Sequence, residues 1–176
     1  MKISKTRVAG VCEIQPTVSE DERGVFARTY DAEIFANFAL PTHWPHNNAS
    51  WNRTRGTLRG MHYQAMHAPE PKLVRCTKGS IFDVAIDVRA GSPTFRSWAG
   101  VILRSQSRNS LFIPAGVAHG FLSLEDDTEV FYKMGAIYDQ SAGRGVRWND
   151  AAFAVEWPFP PTTVSARDAA YPDFES

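Results

Sequence analysis

Turn-forming clusters recur at short intervals along this chain, at Asp21-Glu22-Arg23-Gly24, Thr77-Lys78-Gly79, Ala90-Gly91-Ser92-Pro93, Pro114-Ala115-Gly116 and Glu125-Asp126-Asp127. Glycine admits positive φ, proline presets its own φ, and aspartate hydrogen-bonds nearby backbone, so each cluster marks a place where the chain reverses. Short segments rich in β-branched and aromatic residues fill the gaps, which confines the chain to an all-β sandwich or barrel. The clearest strand is Ser80 to Val88, where Phe82, Val84, Ile86 and Val88 fall on one face by period two and Asp83 and Asp87 on the other. Trp98 to Leu103, Ser110 to Ile113, Phe121 to Leu124 and Thr128 to Met134 read as further strands, and Leu73 to Cys76 precedes the turn into the aspartate-bearing strand. Only Asp31 to Phe38 reads as helical, with Asp31 placed to cap it. The final third is loop-rich, and its Trp148, Trp157 and Phe159 need a surface to bury against, so it is expected to wrap over the barrel.

At 176 residues and 43% apolar content the chain is expected to be one domain, 1–176, with a real core. No linker, charge block, low-complexity tract or internal repeat divides it. Basic and acidic residues balance at 19 each, which argues against a broad electrostatic surface for nucleic acid or membrane. The N-terminus has no apolar core of signal-peptide length, and no apolar run approaches the roughly 20 residues of a membrane span. A cytoplasmic location is the expectation. Cys12 and Cys76 stand far apart without CxxC or CxxH companions, so each is read as a small packed apolar residue.

Chemistry concentrates in Gly56-Thr57-Leu58-Arg59-Gly60-Met61-His62-Tyr63-Gln64, where an arginine and a histidine occupy a strand-like segment punctuated by glycine. Charged groups do not belong in a buried strand unless a polar ligand is met there. By alternation Arg59 and His62 face opposite sides, so both reach one pocket only if the strand breaks register, and Gly60 is the place for a bulge. A lone histidine is more often a satisfied core residue, but Arg59, His62, Lys72 and His119 all stand near turns. The Pro114-x-Gly116 turn before His119, with Gly60, His62, Gln64, Glu70 and Gly79 upstream, resembles the paired motifs of the cupin superfamily. Metal-binding cupins carry a His-x-His pair where this chain has His62-Tyr63-Gln64, and a glutamine amide suits zinc or iron less well than imidazole. His62, Glu70 and His119 still leave a two-histidine, one-carboxylate metal set open. Tyr132 shares a strand face with Val130 and Met134, so its hydroxyl needs a partner, and Tyr138 lies just beyond. From the residues alone Tyr132 and Asp168 stay ambiguous between a site and ordinary packing or solvation.

Taken in order, Arg23-Gly24-x-Phe26, Asn48-x-Ser50-x-Asn52, Gly56 to Gln64, Lys72-Leu73-Val74-Arg75-Cys76, Phe82 to Arg89, Ile113-Pro114-x-Gly116-x-Ala118-His119-Gly120-Phe121, Gly145 to Asp150 and Ser165-x-Arg167-Asp168 resemble the dTDP-4-dehydrorhamnose 3,5-epimerase family over nearly the whole chain. The resemblance implies a mainly β, cupin-type double-stranded β-helix (jelly-roll barrel) with a few short helices. It implies an enzyme that inverts C3 and/or C5 of a nucleotide-linked 4-keto-6-deoxy sugar, with no metal and no redox cofactor. A C4 ketone acidifies the neighbouring C–H bonds, so such an enzyme needs a base, a group to hold the enolate oxygen, and an acid on the opposite face. By resemblance His62 is the base, Asp168 orients it, Lys72, with His119, faces the enolate oxygen, and Tyr132 returns the proton. Arg59 and Arg23 are the implied phosphate anchors, with Asn48, Phe26, Tyr138 and Arg167 toward nucleotide or sugar. It also implies a homodimer that exchanges N-terminal segments, which would carry Arg23 and Phe26 into a neighbour's pocket. Gly143, Arg28 and Glu70-Pro71 depart from residues frequent in the family, which bears on substrate choice more than on reaction type. A metal-dependent cupin and a non-catalytic sugar-nucleotide-binding barrel are the alternatives.

Overall fold

The computed structural model describes residues 1–174. In chain order the strands are β1 (Lys2–Lys5), β2 (Cys12–Gln15), β3 (Val18–Asp21), β4 (Gly24–Ala27), β5 (His46–Asn52), β6 (Thr57–Gln64), β7 (Lys72–Lys78), β8 (Ser80–Asp87), β9 (Trp98–Arg104), β10 (Ser110–Ile113), β11 (Val117–Ser123), β12 (Thr128–Met134), β13 (Gly143–Gly145) and β14 (Thr163–Val164). Helices α1 (Ala32–Asn37) and α2 (Ala166–Ala169) are both short. One sheet runs β1-β2-β10-β7-β12-β5 and faces a second, β13-β6-β11-β8-β9, while β3 and β4 form a separate hairpin. Pairing is antiparallel except where β14 joins β6 in parallel. This is the expected mainly β, jelly-roll architecture.

The core sits between the sheets, where Val74, Cys76, Leu111 and Val130 of one meet Ile81, Ala85, Leu103 and Phe121 of the other. Alternation on β8 places Ile81, Asp83, Ala85 and Asp87 inward, so the face that reads as apolar in the sequence is the outer one. Val84 and Ile86 need a cover there, and the C-terminal third supplies it: Phe153, Trp148, Trp157 and Phe174 pack onto them, as expected from those aromatics. The middle of β8 is thus buried on both faces. On the outer face of the first sheet α1 seats Phe35 against Ile14, Leu73 and Phe112. Asp31 caps α1 by accepting from the Glu33 and Ile34 amides, as the sequence indicates.

Some expected boundaries move. β11 begins at Val117 rather than Phe121, because Val117 to Gly120 already pair with Asp87 to Val84 of β8. A second short helix, α2, fits the few short helices the resemblance implies, though the residue pattern does not mark its place; Ser165 caps it by accepting from the Asp168 amide. Both cysteines are free thiols, and Cys76 lies in the core.

Candidate active site

The sheets line a cavity of about 600 Å³ whose wall includes Asn48, Arg59, His62, Gln64, Glu70, Lys72, His119, Tyr132, Tyr138, Arg167 and Asp168. Its construction begins at Gly60. The β6–β11 register runs Phe121 opposite Arg59 but His119 opposite His62, a one-residue slip between them. Gly60 sits at that slip with φ +145°, and a Cβ there would lie 2.5 Å from the Gly120 Cα, so only glycine fits. The slip brings Arg59 and His62 to one cavity, as the register argument requires.

The free edge of β6 is then shared between two segments. β13 pairs with His62 to Gln64, and β14 pairs with Thr57 and Leu58. β14 runs directly into α2, which delivers Asp168 to His62: His62 Nε2 and Asp168 Oδ1 are 2.7 Å apart. The other carboxylate oxygen accepts from the Gly60 amide. Burial opposes ionisation of Asp168 and is the strongest single influence, yet the His62 contact and the Gly60 amide together hold its carboxyl below the usual range. An ionised carboxylate only accepts, so the facing ring nitrogen is the donor, and in a neutral imidazole that arrangement leaves the other nitrogen as the basic one. His62 itself is partly exposed to the cavity, its side chain 38% accessible. Tyr171 approaches the imidazole edge-on, over Gly145, where a Cβ would overlap the ring.

Opposite stand the other titratable groups. Lys72 is buried, donates to the His62 carbonyl oxygen at 3.3 Å and lies 3.7 Å from Glu70. Desolvation pushes its ammonium below the ordinary lysine range, against the pull of the Glu70 and Asp83 carboxylates. Tyr132 is half-buried, and desolvation pushes its phenol up, with Arg59 opposing and Glu70 adding, so it holds its proton at neutral pH. His119 Nε2 lies 2.7 Å from Asp83 Oδ1 behind it. Arg59 is held by Asn52, whose side-chain oxygen accepts from Nε at 2.8 Å while its amide donates to the Thr128 carbonyl. Arg167 donates to the Tyr171 hydroxyl.

Of the residues expected at the site, Arg23 and Phe26 alone stand apart. They lie on the β3–β4 hairpin, where Arg23 pairs with Asp21 and Phe26 is 70% exposed. His62, Glu70 and His119 are each engaged elsewhere, with Asp168, Gln64 and Asp83. Among the described residues no group of three His, Cys, Asp or Glu side chains is arranged to hold a metal, so the two-histidine, one-carboxylate set is not assembled. Gly143 lines the cavity, and a Cβ there would meet the Gln140 carbonyl oxygen at 3.4 Å, with the Tyr138 hydroxyl and Arg167 guanidinium just beyond. Arg28 instead pairs with Asp31 at the start of α1. The supports Asn52 and Asp83 were not singled out as site residues. Asn52 shares a face of β5 with Asn48, and that alternation is the signal available for it; Asp83 meets His119 only through the β8–β11 pairing, which alternation does not reveal.

A jelly-roll barrel whose cavity holds a histidine–carboxylate pair, a buried lysine and a protonated phenol is a site equipped for proton transfer at carbon beside a carbonyl, on a cupin-type scaffold. Comparison with known proteins agrees. The model of the dTDP-4-dehydrorhamnose 3,5-epimerase family matches residues 5–176. The dTDP-4-dehydrorhamnose 3,5-epimerase of Shigella flexneri is 38% identical over 169 residues, 96% of this chain and 93% of that one. The crystal structure of the enzyme of that name from Elizabethkingia anophelis superposes with a TM-score of 0.94 at 34% identity, covering 99% of this chain and 96% of the other. A 3'-monoepimerase from Streptomyces bikiniensis, in complex with dTDP-quinovose, superposes with a TM-score of 0.90 at 28% identity, covering 97% and 86%. The chain belongs to the dTDP-4-dehydrorhamnose 3,5-epimerase family.

Proposed function

We propose that this protein inverts C3 and/or C5 of a nucleotide-linked 4-keto-6-deoxy sugar in deoxysugar biosynthesis. The observation that carries the reading is the 2.7 Å His62–Asp168 contact in one cavity with Lys72 and Tyr132. His62 takes the proton from the carbon beside the C4 ketone, and the C–H electrons form the enolate double bond while C4–O becomes the anion. Asp168 steadies the imidazolium, the role a carboxylate plays beside histidine elsewhere. Lys72 and His119 face the enolate oxygen, and Tyr132 gives a proton to the opposite face of the carbon. The proton on His62 and the phenolate on Tyr132 then re-equilibrate through solvent.

Arg59 supplies a guanidinium fork for the diphosphate. Asn48, Tyr138 and Arg167 take the nucleotide and sugar rim. The family and the relative bound to dTDP-quinovose support thymidine diphosphate as the carrier. The β3–β4 hairpin leaves Arg23 and Phe26 exposed and pairs with neither sheet, which supports a homodimer in which each hairpin completes the partner's site. Among the described residues no helix is long and apolar enough to cross a membrane. The cytoplasm is the proposed compartment, in keeping with two free thiols.

NMR in D₂O of a small panel of nucleotide-linked 4-keto sugars tests the reading. Deuterium entering C3, C5 or both, with the inverted product accumulating, is the expected result and assigns the inverted centres. Tight binding without exchange on any of them would leave a binding barrel instead. Light scattering tests the assembly, with a dimer mass expected.

A further inference from the structure

Glu70 is a buried carboxylate in the cavity wall to which the mechanism above gives no task; its side chain is 3% accessible. Its position is firmly set. Pro71 follows it and restricts its backbone, and the Pro71 carbonyl accepts from the Gly135 amide at 2.8 Å. Glu70 Oε1 accepts from the Gln64 side-chain amide at 2.6 Å, and the Gln64 oxygen accepts from the Asp139 amide. That leaves Oε2 facing Lys72 Nζ at 3.7 Å. An ammonium has three donors. One reaches the His62 carbonyl, one is turned to Glu70, and the third remains to meet a ligand oxygen.

A buried ammonium without a carboxylate nearby sheds its proton, since desolvation disfavours the charged form. The other charged and titratable groups around Lys72 are Asp83 on β8 and His119 on β11, which pair with each other, Tyr132 on β12, and His62 and Arg59 on β6, with Asp168 on α2 turned to His62. Asp168 is turned to His62, and Asp83, bonded to His119 through one oxygen, pulls on the lysine less strongly than Glu70 does, so Glu70 is the carboxylate within ion-pair distance of Lys72.

We propose that Glu70 is a positioning residue for Lys72: its carboxylate keeps the ammonium charged and, together with the His62 carbonyl, turns the ammonium so that the remaining donor points at the developing enolate oxygen. The kinetic part rests on the epimerase reading; the electrostatic part does not. Glu70→Gln tests both, because the amide oxygen can still accept from Gln64 and only the charge is lost. kcat is expected to fall roughly tenfold at the alkaline end of the profile and to recover as the pH is lowered, with KM nearly unchanged. Glu70→Asp, which keeps the charge, is expected to restore most of the turnover. In the ligand-free protein, NMR of lysines labelled at Nζ should show Lys72 losing its proton at lower pH in Glu70→Gln than in the unmutated chain. A kcat–pH profile that superimposes on the unmutated one overturns the kinetic role, and an unmoved Lys72 titration overturns the whole assignment. If no 4-keto sugar is turned over, the epimerase reading fails while the titration still decides what Glu70 does to Lys72.

Discussion

Asp83 and Asp87 stand four residues apart on the same inward face of β8, both with side chains fully buried, and their surroundings are opposite. Asp87 is saturated: it accepts from the backbone amide, Nε and a terminal nitrogen of Arg89 and from the hydroxyls of Ser92 and Thr94. Through Arg89 and Thr94 it also clips the turn at Ala9 onto the barrel. Burial opposes its ionisation, but these donors together hold its carboxyl down at about 2. Asp83 has His119 alone on one oxygen, and its other oxygen is buried with no hydrogen-bond partner among the described residues. Burial pushes its carboxyl above the ordinary range against the pull of His119 and Lys72. A saturated buried carboxylate is a structural clip; an under-saturated one beside a histidine and a lysine stores electrostatic potential for a ligand.

The contrast can be broken most severely at the cavity end. Asp83→Asn should lower kcat on the order of 10²-fold, since His119 loses the carboxylate that orients it, while the melting temperature stays within a few degrees; steady-state kinetics and calorimetry read the two. Asp87→Asn should do the reverse. Losing a charged acceptor of this kind costs about 2 kcal/mol, or on the order of 5 °C in Tm for a chain of this size, with turnover per folded molecule retained.

The pH dependence sharpens the same point. Because folding depresses the Asp87 carboxyl, its stabilisation is full above its unfolded value, near 4, and is lost as pH falls through about 2. Urea unfolding of unmutated protein and Asp87→Asn should therefore differ at pH 6 and converge near pH 2. The smallest effect is expected at Asn52. Asn52→Ala frees Arg59 to swing, and if Arg59 holds the diphosphate as proposed KM should rise by roughly tenfold with little change in kcat, because such an anchor binds ground and transition states alike.

Periodicity in the sequence exposes β8 and β12 because both faces of each strand are occupied by side chains with settled tasks. It says little about β3 and β4, whose residues lie on an exposed hairpin, or about β5, where Asn48 lines the cavity and Asn52 is buried beneath Arg59, both breaking the apolar pattern. The one-residue slip at Gly60 was readable from the glycine and from the need to bring Arg59 and His62 together. The pairing of Asp83 with His119 was not readable, because it depends on β8 and β11 lying side by side. The apolar alternation on β8 does not reveal which face is inward, since the C-terminal wrap covers Val84 and Ile86 on the outer face as completely as the core covers Ile81 and Ala85 on the inner one.

The clip around Asp87 and the cavity around His62 are separate regions of one barrel, and one paired measurement tests whether holding the fold and moving the proton divide between them. Deuterium exchange into a nucleotide-linked 4-keto sugar, followed by NMR in D₂O at matched folded concentration, is compared in His62→Ala and Asp87→Asn. His62→Ala is expected to lose on the order of 10³-fold in exchange rate at unchanged Tm, and Asp87→Asn to exchange at the unmutated rate with a lowered Tm. Exchange at the unmutated rate in His62→Ala would contradict the account.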